Sequence, residues 1–271
     1  MKIFQQIEQR RKWAEDEQIL LDQVRRTANT VIAPNAARYD REEAFPQESV
    51  DAVKSLGLNA IFVPEAYGGA PMSYRLYLAV VQTISEACAS TGIIYATNFH
   101  GMKPLIDFGT EQQKKRLLPR VAEGALASLA ITEAVAGSDA TAMKMRFTPD
   151  GDDIIVDGGK LFITSGDVAD LLLVFGKWSA IEDPKQAISA LIVEKGVPGF
   201  EVVRVEEKLG HRAHPRRSSP STVAGFRVQI FLGNRVRGLP CCWPRSTSRG
   251  RALRHTRWEL PPPPSRTWLP I

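Results

Sequence analysis

The amino-acid sequence predicts an α+β chain: a helical N-terminal domain followed by a mostly antiparallel, β-barrel-like middle domain. Two changes of pattern predict it. Apolar residues recur at helical spacing as far as Gly124, and the period then falls to two. Near His211 both periods vanish, and arginine and proline take over. The expected boundaries are a helical domain over residues 1–125, a β domain over 126–213, and an aberrant, structureless tail over 214–271.

The helices come first. Ile19, Leu20, Val24 and Ala28 give a helical face within residues 12–43, and Pro34 is expected to limit it. A second helix begins after Phe45. Pro46 takes the first helical position, Val50, Val53 and Leu56 form the apolar face, and Gly57 marks the end. A third covers 74–88, with apolar Leu76, Leu78, Ala79, Val80, Ile84 and Cys88. A largely apolar stretch over 93–106 reads as a buried helix, and His100 within it as a core or cleft-edge histidine rather than a catalytic one. Thr110 with Gln113 makes a capping box for a last helix, closed by Gly124.

Candidate strands follow at 126–133, 143–147, 154–157, 161–164, 171–175, 187–193 and 200–205. No G-x-G-x-x-G follows any of them, so a Rossmann site has no support.

Composition bounds the function. At 271 residues the chain can hold one large or two modest domains, and 44% hydrophobic content is ordinary for a globular protein. No apolar run is long enough to span a bilayer, and Met1 to Gln6 lack a signal-peptide core. A soluble, cytoplasmic protein with no membrane partner is expected. Cys88, Cys241 and Cys242 form neither a disulfide framework nor a metal-ligand spacing, so no metal is expected. The net charge of +5 hides an asymmetry. From His211 onward there are twelve Arg, no Lys, no Asp and one Glu, a charge of +11; subtracting it from +5 leaves −6 for residues 1–210.

Two stretches in the β segment carry chemistry. Residues 129–139 run from an apolar start, Leu129, Ala130 and Ile131, through Thr132 and Glu133 to Gly137, Ser138 and Asp139. Small residues at the end let backbone approach a ligand and turn N–H groups toward an anion. Residues 159–166 hold Gly159, Lys160, Phe162, Ile163, Thr164, Ser165 and Gly166, a short β-like run ended by a turn. In this order they resemble the T-E-x-x-x-G-S-D and G-x-K-x-[WF]-I-T-[NS]-G segments of the acyl-CoA dehydrogenase family. Val63, Pro64, Glu65, Tyr67, Gly68 and Gly69 also match a family turn, as does the run of residues 108–114. The resemblance covers roughly residues 12–213.

The resemblance implies an oxidoreductase that uses FAD to dehydrogenate an acyl-CoA between Cα and Cβ. An electron-transferring flavoprotein is the expected acceptor. Matched positions place Leu129, Ala130 and Ile131 at the flavin edge, Thr132 at its pyrimidine end, and Thr164 near N5. Phe162, in place of the common Trp, falls against the ring face beside Ile163. Gly137 and Ser138 fall at the FAD phosphates, and Ser138 also at the acyl-CoA substrate. The catalytic base of the family is a glutamate in a C-terminal helical domain, so no catalytic residue is expected in this chain. Ala134 and Val135 replace a common Pro-Gly, and a β-branched Val135 would fit badly if the loop needed positive φ there.

The family pattern stops near Gly210. Read one nucleotide out of frame, the codons open to the residues from His214 permit S-P-T-A-E-L-T-F-D-G-C-R-V-P, and later a long helix, as in the family's continuation. A frame change between about Lys208 and Arg216 is therefore expected, with the C-terminal helical domain and the family's homo-oligomer interface missing and the chain inactive. The alternatives are a non-catalytic protein that binds through its basic tail, or a related flavin oxidase. No nucleic-acid partner is expected.

Overall fold

The structure is a computed structural model that describes residues 13–151, 153–183, 187–200, 204–213, 216–218 and 226–228. Helix α1 (Glu15–Thr27) begins with Glu15, Asp16 and Glu17 and ends with Arg25 and Arg26, so charge at both ends opposes the helix dipole. It continues through a π turn (Ala28–Ile32) into α2 (Ala33–Glu42), which corrects the expected stop at Pro34. The N–H of Ala33 reaches back to the carbonyl of Ala28, and this wider turn places Pro34 in the first turn of α2, where a missing N–H is harmless. Helix α3 (Gln47–Ser55) starts one residue later than expected, with Pro46 as its N-cap.

Helix α4 (Tyr74–Ala87) is capped by Ser73, whose Oγ accepts from the Leu76 N–H at 3.1 Å. Its apolar residues do not all turn inward: Leu76, Val80 and Ile84 are buried, while Leu78 is exposed. Leu21, Val24, Ile32 and Tyr95 join the buried residues of α4 in the helical core. Helix α5 (Ala89–Phe108) is the buried helix expected from its composition, longer at both ends, with Pro104 inside it. Helix α6 (Glu111–Ala122) has the Thr110–Gln113 capping box in both directions, at 3.2 and 2.9 Å.

The strands among the described residues are β1 (Ala127–Ala130), β2 (Arg146–Asp150), β3 (Asp153–Asp157), β4 (Ile163–Thr164), β5 (Leu171–Trp178), β6 (Ile188–Glu194), β7 (Arg204–Glu206), β8 (Arg216–Ser218) and β9 (Phe226–Val228). They form two open sheets, not a closed barrel. The larger has the order β1-β5-β2-β3-β9 with β6 also on β5; the smaller is β4-β8-β7. Most pairs are antiparallel, but β5 runs parallel to both β1 and β2. Strand β5 is central, which explains its uninterrupted burial from Leu171 to Gly176. Gly176 belongs there because a Cβ would come within 2.5 Å of the Phe147 ring.

The expected strand over 126–133 ends early, at Ala130, and that over 161–164 shrinks to two residues. Both losses fall where the chain turns to form the site. Of the expected tail, β8 pairs with β4 and β7, and β9 with β3. The rest of residues 214–271 lies outside the described residues.

Helix α5 lies directly on β1. A Cβ on Gly101 would come within 2.7 Å of the Ala127 carbonyl carbon, and the buried Asn98 side chain accepts from the Ala127 N–H at 2.5 Å. The start of β1 is thus held by a helix, and its other end is free to carry the site. No helix among the described residues is long and apolar enough to cross a membrane.

Candidate functional site

Strand β1 ends at Ala130, and the chain then makes a tight turn. The Glu133 N–H donates to the Ala136 carbonyl at 3.0 Å, and the Ala136 N–H returns a bond to Glu133 at 3.1 Å. Ala134 and Val135 form the tip. Neither takes a positive φ, so the expected misfit of Val135 does not arise. The turn closes with ordinary backbone angles, and the Val135 side chain points away from the core, 58% exposed.

The second stretch lies alongside. The Leu161 N–H donates to the Thr132 carbonyl at 2.8 Å, and the Ser128 hydroxyl donates to the Thr164 carbonyl. These two bonds bring residues 129–132 and 162–164 together, in keeping with the order of the two motifs. Thr132 and Thr164 are half-buried, and neither hydroxyl has a partner among the described residues. Phe162 is 48% exposed and has φ 58°, and Ser165 has φ 56°. Left-handed backbone in residues with a Cβ is strained, and such strain gathers at functional sites.

The predicted residues divide by environment. Ala130 and Ile163 are buried in the β-sheet core. Leu129 and Ile131 are partly buried against the core between helices and sheet. Gly137 and Ser138 are exposed, beyond the turn. Asp139 shapes the short helical turn after them: its carboxylate accepts from the N–H and the hydroxyl of Thr141, at 3.1 and 2.5 Å. His100 is exposed, with its ring against Phe99, so it is not a core histidine.

What sequence reasoning missed is a buried ion pair behind the site. Lys160 Nζ donates to Glu133 Oε1 at 2.7 Å and to the Ile131 carbonyl at 2.8 Å. The Glu133 carboxylate also accepts from the N–H groups of Lys144 and Met145, at 2.6 and 3.1 Å. Burial alone would raise the Glu133 pKa; the hydrogen bonds from Lys144 and Lys160 outweigh it and hold the carboxyl below its ordinary value. Burial pushes the Lys160 ammonium down, against the pull of Glu133. Both residues stand in the motifs, but a separation of 27 in sequence hides the pairing. The available signal was two opposite charges set in β-like apolar runs.

An isoalloxazine ring, flat and apolar with polar atoms at its edges, fits this arrangement. The exposed Phe162 ring offers a face, and two unengaged hydroxyls offer donors at the end of β1 and on β4. Two small cavities of about 20 and 10 Å³ lie elsewhere, between the helices and the first residues of β1.

The comparisons with known proteins bear on the family and the fold. The N-terminal domain profile of the acyl-CoA dehydrogenases matches residues 14–125, and the middle domain profile matches 128–220. The chain belongs to the acyl-CoA dehydrogenase family. It is 38% identical over 233 residues to a probable acyl-CoA dehydrogenase, fadE25, of Mycobacterium leprae, covering 84% of this chain and 58% of the relative. Butyryl-CoA dehydrogenase from Megasphaera elsdenii superposes with a TM-score of 0.77 at 26% identity, over 84% of this chain and 60% of that one. An acyl-CoA dehydrogenase complexed with FAD, from Bacillus anthracis, gives 0.72 at 26% identity, over 82% and 38%. The chain therefore spans between 38% and 60% of the length of these relatives.

Proposed function

We propose that this chain forms the helical and β portions of an FAD-dependent acyl-CoA dehydrogenase, an enzyme that removes hydrogen from Cα and Cβ of an acyl-CoA thioester. The observation that supports this best is the tie between the two motif stretches. The Leu161 N–H holds the Thr132 carbonyl and the Ser128 hydroxyl holds the Thr164 carbonyl, and neither threonine hydroxyl has a partner among the described residues. FAD, when bound, supplies a two-electron acceptor for the substrate hydride. Thr164 would be the donor near N5, able to stabilise negative charge on reduced flavin. Thr132 would hold the pyrimidine end, Phe162 would cover one ring face, and Gly137 and Ser138 would meet the phosphates, with Ser138 also at the thioester substrate. Glu133 is not the base: its carboxylate already serves Lys160 and two backbone N–H groups. The Cα proton goes to a carboxylate on the opposite side of the substrate. An electron-transferring flavoprotein is the acceptor we favour, with a role in fatty-acid metabolism in the cytoplasm.

The purified chain should take up FAD and turn yellow. With the frame restored, Thr164→Val should change the rate of flavin reduction by acyl-CoA while leaving thermal unfolding unchanged. Failure of the chain to bind added FAD at any concentration would refute the reading.

A second proposal concerns residues 208–216. The jump from −6 over residues 1–210 to +11 from His211 onward, with a family-like sequence latent in the next frame, favours a changed reading frame over a basic tail built for nucleic acid. Such a chain would dehydrogenate acyl-CoA only once the frame is restored. The gene's nucleotide sequence across these codons tests it. A single uninterrupted frame, confirmed on independent clones, would leave the tail as encoded and end this proposal.

A further inference from the structure

The chain offers a device behind the proposed flavin site that the family assignment does not describe. Residues 162–165 carry two left-handed positions, Phe162 and Ser165, on either side of β4. Backbone of this kind persists only when its surroundings over-determine it. Downstream, the Ser165 carbonyl accepts from the N–H groups of Val168 and Ala169, at 3.1 and 2.8 Å. In the middle, Ser128 holds the Thr164 carbonyl. Upstream, the fixed point is Lys160, only 3% exposed at its side chain.

Lys160 does more than neutralise Glu133. Its ammonium holds the Ile131 carbonyl and the Glu133 carboxylate together, and that carboxylate gathers the backbone of Lys144 and Met145. One buried pair thus ties together three segments: the end of β1, the approach to β2, and the approach to β4. We infer that the Lys160–Glu133 pair is a positioning clamp that presets the strained backbone at Phe162, and with it the placement of Thr164, before and for cofactor binding. The role rests on the proposed flavin site, and the experiment separates the two.

Lys160→Met keeps the length and most of the volume of the side chain but removes its charge and its donors. Glu133→Gln is the second variant, should the first not fold, because it keeps an acceptor for the backbone N–H groups. Val53→Ala, in the helical core away from the site, is the control for general loss of stability. Amide exchange is measured on the cofactor-free protein, followed by titration with FAD. In the clamp variants the N–H groups of Leu161 and Gly166 should exchange roughly tenfold faster, and FAD should bind roughly tenfold more weakly, the factor expected when one strained residue is released. Val53→Ala should lower Tm and leave both readings near the parent's. Unchanged exchange at Leu161 and Gly166 in the clamp variants would overturn the inference. So would exchange and affinity that merely follow Tm, as in Val53→Ala. If the parent takes up no FAD the flavin reading fails, while the exchange data still decide whether the pair sets the backbone.

Discussion

At the scale of single residues, the site is strained on one side and unspent on the other. The hydroxyls of Thr132 and Thr164, the two threonines that the motifs single out, have no partner among the described residues. The motifs did not identify the backbone cost. Ser165 combines a left-handed φ of 56° with a buried hydroxyl that has no hydrogen-bond partner among the described residues. Both features destabilise: the first by about 1–2 kcal/mol, the second by a desolvation penalty of similar order. Glycine at this position would relieve both, at an entropic cost of roughly 0.5–1 kcal/mol. Ser165→Gly should therefore stabilise the protein by about 1–2 kcal/mol, read as a higher urea midpoint at unchanged slope. A lower midpoint would mean that the hydroxyl has a role in the folded protein, such as holding a bound water.

At the scale of elements, helices were the more legible because their signals are local. The Thr110–Gln113 capping box depends on residues three apart, and it forms as the spacing implies. Pro34 misled because a proline is a stop only when the turn ahead of it is an ordinary α turn; the π turn over Ala28–Ile32 removes that condition, and nothing in its composition announces it. Strand lengths were less legible. Period two continues past Ala130 in the sequence, but the hydrogen bonds that would extend β1 are lost to the turn at Glu133. The placement of β1 against α5 was equally hidden. It rests on Gly101 being without a side chain and on Asn98 reaching the Ala127 N–H, contacts between residues far apart in the chain.

At the scale of the whole molecule, the order of helical and β regions was legible as a change of period near Gly124, and the family resemblance supplied the proposed site. Sheet closure was not legible, because closure depends on which strands pair. Alternation fits a barrel and an open sheet equally well, and only the pairing of β5 with β1, β2 and β6 decides for the open form. The same long-range pairing sets how the fold responds to acid. Glu133 is ionised, buried and ion-paired, and its pKa in the folded protein lies below the ordinary 4.5. A carboxyl with a depressed folded value adds stability above its unfolded pKa and loses it as the pH falls through the folded one. Asp40 acts in the same direction, held down first by its hydrogen bonds from Arg212, but on the surface, where salt screens it. Stability should hold from neutral pH to about 4.5 and then fall. In Glu133→Gln the neutral-pH stability should be lower and the acid fall shallower, because the variant has already lost what the acid takes away. Urea midpoints measured from pH 7 to pH 3 for both proteins provide the check. A parallel fall in the two would show that Glu133 does not carry the acid transition and that the surface carboxylates do.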